Sequence, residues 1–294
     1  MQEAFLQMIL PTIALASGLA LAQSPDKAEQ QSETPRVAWS IPPAPTEDDF
    51  PEALLALNLA GKAVVMCVAD ADGYARECVV NARPSGLGLE QHAVEVVKRG
   101  RIKANWPGDT PENLSFSVRL PFNSYMPSPP PPADSWTGPI PTPEQIDLAT
   151  KTVEQIDSLG GEELSDEIIP PALDEALATK VEPERAAFIR SLYQRHGLST
   201  QAARALNIRM IARMIALTET SRPLEFALYF HEPEVQELMR EAEAGEGVLA
   251  SSWRIQTAYC AHFDCTAEYP EEPAAPDHWR LRDDEPFPAP QSGD

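Results

Sequence analysis

Hydrophobic positions divide the chain into an apolar start, a stretch of short runs, and a longer stretch with helical spacing. Phe5 to Ala22 is apolar apart from Gln7, Pro11, Thr12, Ser17 and Gly18. From Phe50 and Pro51 onward the runs are short. Ala53, Leu54 and Leu57 supply one side of a short helix, with Asp48 or Asp49 as its N-cap and Gly61 at its end. Ala63 to Ala69 is almost wholly apolar and reads as a strand. Asp70-Ala71-Asp72-Gly73 reads as a turn, and Tyr74 to Asn81 as the returning strand. A turn at Pro84 to Gly88 leads to a helix from Leu89 to Arg99, with Ala93, Val96 and Val97 inward and Gly100 at its end. Leu114, Phe116, Val118 and Leu120 then alternate up to Phe122, the period of a third strand.

This order predicts an α+β fold: a small three-stranded antiparallel sheet with two helices, followed by a mainly α-helical domain. Both helices cover one sheet face. The other face is left partly open, or an outer strand edge is available. The helical part begins at Thr142, with Pro143 at the first helical position and Gln145 completing a capping box. Ile146, Ala149, Val153 and Ile156 share one face, and Gly160-Gly161 ends this helix. A short helix is expected over 172–180. Glu184 to His196 follows, with Ala187, Phe188 and Leu192 inward. Ser199 precedes a long helix, Gln201 to Thr218, whose apolar face takes Ala203, Leu206, Met210, Met214 and Leu217. Leu224 to Phe230, Glu234 to Ala242 and Ser251 to Tyr259 complete the set.

The four cysteines fall as two near pairs. If Asp72-Gly73 is a two-residue type I′ turn, 71 faces 74 and 70 faces 75, which sets Cys67 opposite Cys78. Opposite residues of an antiparallel pair bring their Cβ atoms within disulfide reach. Cys67–Cys78 is therefore expected to be bonded, against the alternative of two buried thiols. Cys260 and Cys265 enclose His262 and Asp264, and a local disulfide is expected there too. A zinc site from Cys260, His262, Cys265 and His278 matches no tetrahedral-site spacing. A Cys–His262 nucleophile lacks a third orienting group.

Two disulfides imply an oxidising compartment, and the chain start agrees. Ala20-Leu21-Ala22 places small residues before Gln23, as at a signal-peptide cleavage site. The n-region carries Glu3 and no Lys or Arg. The expectation is a cleaved signal over 1–22 and a periplasmic protein without a stable membrane anchor; an uncleaved anchor is the alternative. Residues 23–46 read as a disordered leader, 127–141 as a Pro-rich linker, and 268–294 as an acidic disordered tail.

Charge narrows the partner class. The formal net charge is -22, with 45 acidic and 23 basic residues. Nucleic acid needs clustered Lys and Arg and is excluded as a general partner. Residues 51–126 are neutral, whereas 139–250 carry twenty acids and ten bases, which places a domain boundary near 127–141. Lys98, Arg99, Arg101 and Lys103 cluster at a helix C-terminus, where the helix dipole favours them. There is no phosphate loop and no dinucleotide fingerprint, so no cofactor is implied. His92, His196, His231, His262 and His278 are scattered, and no catalytic constellation forms. A binding protein is expected, with an enzyme or a purely structural envelope protein as rivals.

Phe50-Pro51-Glu52-Ala53, Gly61-Lys62 before a strand, Asp72-Gly73, Ser85-Gly86, Leu89, Ala93 and the Leu114–Phe122 strand together resemble the C-terminal domain of the TonB family over residues 47–122. Phe50 stands where Tyr is usual, and Glu90 where Asp is common. The resemblance implies capture of an envelope protein or outer-membrane receptor segment by β-augmentation, with Leu114, Phe116, Val118, Leu120 and Phe122 forming the receptive edge strand. The long Pro-rich spacer of the family is missing and the anchor is expected to be cleaved, so binding without energy transduction is what carries over. Leu224 to Glu241, with its Tyr229-Phe230 pair, resembles an uncharacterised helical family of exported bacterial proteins.

Overall fold

The structure is a computed structural model that describes residues 37–105, 110–123, 134–160, 164–224, 229, 232–276 and 278–279. The expected signal, most of the expected leader, much of the linker, the segment after Leu224 and the chain beyond Trp279 lie outside the described residues.

The fold class is as the pattern predicts. β1 (Val37–Ile41) and a 3-10 turn at Glu47–Asp49 precede α1 (Glu52–Ala56). β2 (Gly61–Ala69), β3 (Ala75–Arg83), α2 (Leu89–Lys98), β4 (Arg101–Ala104) and β5 (Ser115–Phe122) complete the first half. Six helices follow among the described residues: α3 (Pro143–Gly160), α4 (Pro171–Thr179), α5 (Pro183–His196), α6 (Thr200–Thr218), α7 (Pro233–Glu243) and α8 (Val248–Cys260). The main sheet is antiparallel in the order β3-β2-β5. None of the described helices is long and apolar enough to cross a membrane.

Local sequence explains most element ends. Thr142 and Gln145 form the capping box, each side chain accepting from the other's backbone N–H, at 3.3 and 2.8 Å. The Ser199 hydroxyl accepts from the Ala202 N–H at the start of α6. Asp49 does not cap α1. Its carboxylate instead receives Thr46 N–H and a bidentate Arg99 guanidinium from the end of α2. That Arg99 contact holds the carboxyl well below the usual carboxylate range. A side chain with a strong distant partner gives up its local cap.

The hairpin corrects the expected turn. Asp70 N–H donates to Tyr74 C=O, so three residues form the loop, and the Asp70 carboxylate caps the N–H groups of Asp72 and Tyr74. Of Asp72 and Gly73 only Gly73 has positive φ, at 88°, so the turn is not type I′. Ala69 faces Ala75, not residue 76, and a bulge between Val68 and Ala69 restores the expected register from Val68–Glu77 onward. Cys67 therefore still meets Cys78, and the two are bonded, with Cα atoms 4.1 Å apart. Replacing both with alanine is expected to cost about 2–3 kcal/mol by freeing the loop of the unfolded chain. Urea unfolding of the double variant against wild type measures it.

Val37–Ile41 corrects the expected disordered leader. It pairs with β4 as a two-stranded ribbon. Trp39 reaches back to Phe116, rings 5.5 Å apart and edge-on. Only a strand from the other side of α2 could recruit this polar-flanked segment, which no local pattern signals.

The main core is not confined to the first half. Leu54, Val65, Val96 and Phe116 share one cluster with Leu173 and Leu177 of α4, Ile189 and Leu192 of α5, and Ile255 and Tyr259 of α8. Tyr193 Oη donates to Ala56 C=O, and Gln256 Nε2 to Asn58 C=O, so polar contacts also cross between the halves. A second, smaller core holds Ala149 and Val153 of α3, Met210 and Met214 of α6, and Ala242 of α7. On α5 the buried stripe is Ala186, Ile189 and Leu192, and Ala187 is exposed. On α6 it is Met210, Ile211, Ala212, Met214 and Ile215. Leu192 on α5 and Met210 and Met214 on α6 are buried as expected, while Ala203, Leu206 and Leu217 are only partly buried. The α5 stripe is turned toward Ala186 and Ile189 because α5 packs against both α4 and α8.

Candidate partner-binding edge and the covered sheet face

The ladder phase decides which backbone groups each strand presents. Ala69 N–H donates to Leu114 C=O, which turns the odd-numbered residues of β2 toward β5 and the even ones toward β3. On β5, residues 116, 118, 120 and 122 then bond to β2. Ser115, Ser117, Arg119 and Pro121 turn their main-chain groups to the outer edge. No strand pairs with that edge among the described residues. Pro121 lacks an N–H at an outward position, so it removes nothing from the β2 ladder and ends the receptive stretch. The same phase makes Cys67–Cys78 a non-hydrogen-bonded pair, the kind with closer side chains.

The five residues expected at the edge are all in place on or beside β5, but their side chains do not face a partner. Leu114, Phe116, Leu120 and Phe122 are buried in the main core, and Val118 packs partly buried against it. What the edge offers is backbone, flanked on the opposite face by Ser115, Ser117 and Arg119.

β3 offers a second outward row, at Arg76, Cys78, Val80 and Ala82. Beside it runs a groove of about 340 Å³, lined by Val80, Asn81, Ala82, Arg83, Ser85 and Glu90 on the sheet and loop side and by Pro270 and Glu271 across from them. Nothing in the sequence marked it, because Pro270 and Glu271 arrive from nearly 190 positions away.

Those two residues correct the expected tail. Residues 268–276 and 278–279 lie on the sheet face opposite α1 and α2, the face expected to be partly open. The Tyr269 ring lies under Lys62 Nζ at 5.0 Å and near the Arg119 guanidinium at 5.7 Å. Asn81 Nδ2 donates to Glu271 C=O at 2.9 Å. Trp279 is buried, its indole N–H on the Glu77 carboxylate at 3.0 Å, with His278 Nε2 also 3.0 Å away. These contacts from His278 and Trp279 hold the Glu77 carboxyl below its ordinary value.

Cys260 and Cys265 are bonded to each other and turn the chain from α8 toward this face. Their sulfurs are thereby lost to the zinc and nucleophile alternatives. His262 stacks on Phe188 at 4.6 Å, far in role from His278. Arg185 locks the corner: Nη1 donates to Tyr259 Oη at 2.9 Å, and its guanidinium covers Phe263 at 4.4 Å. His92 lies beside Lys180 Nζ, and burial with that cation pushes its pKa down. His231 lies outside the described residues.

Compared with known proteins, the chain matches no family model, no curated protein and no solved structure.

Proposed function

We propose that this is an exported, periplasmic binding protein that takes an extended segment of an envelope partner, such as a stretch of an outer-membrane receptor, as a fourth strand on β5, without energy transduction. The observation that carries this reading is the outer row of β5, which no strand pairs with among the described residues. Ser115, Ser117 and Arg119 present main-chain N–H groups there, with Pro121 limiting the added strand to that stretch. Two disulfides and no free cysteine accord with an oxidising compartment. The resemblance to TonB-family C-terminal domains points to the same mode of capture.

Ser117→Pro tests it. The Ser117 N–H points away from β2, so proline there deletes no ladder bond, and the extended backbone of Phe116 suits a residue before proline. The variant is expected to melt close to wild type. A photo-crosslinker placed at Arg119 is expected to capture a discrete envelope protein from wild type and to lose it in the proline variant. Undiminished capture by a folded Ser117→Pro protein would count against β5 augmentation.

A further inference from the structure

The strap from Thr266 to Trp279 has the composition of a ligand for the face that it covers. That face is the basic one in an acidic protein: Lys62, Arg83 and Arg119 point to it, against Glu77 alone. The strap brings Glu268, Glu271 and Glu272, with Tyr269 at one end and Trp279 at the other. Under it lie the fully buried Val64 and the nearly buried Val68, which belong to neither main cluster. Its attachment is by side chains: Tyr269 on two cations, Asn81 on one carbonyl, and Glu77 on Trp279 and His278. No backbone-to-backbone hydrogen bond joins the strap to the sheet among the described residues, and residues 264–276 form no helix or strand.

We infer that the strap is an intramolecular stand-in for an extended, acidic segment of a partner protein carrying Tyr or Trp, and that this face is a second docking surface, exposed when the strap leaves. A covalently linked segment acts at about millimolar effective concentration, so the intact chain resists all but tight competitors. The inference does not depend on the β5 edge, which a strand could still join with the strap in place.

The test uses the full chain and a fluorescent peptide with the sequence of residues 266–279. Trp279→Ala removes the main anchor of the internal strap. The variant is expected to keep the sheet, with a far-UV spectrum like wild type, and to bind the peptide at least about tenfold more tightly than wild type does, because internal competition falls. Adding Lys62→Glu and Arg119→Glu is expected to weaken that binding by about tenfold, since both cations on Tyr269 are lost. Equal peptide affinity for wild type and Trp279→Ala, or no saturable binding to either, would overturn the inference. Should Trp279→Ala fail to fold, a protease site inserted before Thr266 and cut after folding serves instead. The cut segment must then exchange for labelled peptide while the body stays folded; a segment that stays put, or a body that unfolds on its release, makes the strap an integral part of the fold.

Discussion

Ile189→Ala is expected to lower stability by about 3 kcal/mol and to melt the sheet and the helices in a single transition. Ile189 is fully buried on α5, in the cluster that also contains Leu54, Val65 and Phe116 from the first half. Truncating it removes three carbons from a site on α5 packed between α4 and α8, where little can collapse to refill the space. Since the cluster is continuous, the loss is felt on both sides of the Pro-rich connector. Thermal unfolding followed at once by far-UV signal and by hydrogen exchange in β2 checks this. A helical transition that moves while β2 keeps its wild-type protection would show two separable cores.

The second large effect is on pH dependence, through Glu243. This side chain is buried between α7 and α8, where Oε1 accepts from Leu249 N–H and Oε2 has no hydrogen-bond partner among the described residues. Burial pushes its pKa up to about 7, against the pull of the Leu249 and Ala250 N–H groups and of Arg254. Arg213 and Glu246 also flank the corner, Arg213 by donating to the Ala242 and Glu243 carbonyls. The folded state thus holds this proton more tightly than the unfolded chain does. The stability it contributes is complete below the ordinary glutamate value near 4.5, and it is lost as pH rises to about 7. The full loss is about 3 kcal/mol. Glu243→Gln keeps an acceptor for the start of α8 and cannot ionise. Relative to wild type, its stability is expected to rise by about that amount between pH 4.5 and pH 8. Urea unfolding at both pH values measures the difference, and parallel profiles would remove Glu243 as its source.

Short-range features were legible in the residues. The capping box at Thr142, the Ser199 cap, the alternation of Leu114 to Phe122 and the Cys67–Cys78 pairing all depend on neighbours within about a dozen positions. The pairing survived an error in the turn because a bulge at Ala69 shifted only the tip. Of the candidate site, the edge strand was legible but the groups it offers were not. Which main-chain groups face outward depends on the hydrogen-bond phase with β2, and that phase is set by Ala69 meeting Leu114.

What only the tertiary structure decided is where segments with little regular pattern go. Val37–Ile41 became a strand because β4 had an edge free. Asp49 left its helix for Arg99, 50 positions away. The α5 stripe was set by helices gripping it from two sides, and an acidic, Pro-rich tail was drawn across the sheet by Lys62, Arg119 and Glu77. A local pattern records how a segment can bury its own apolar side; it holds no record of a distant surface whose charge and shape complete the burial.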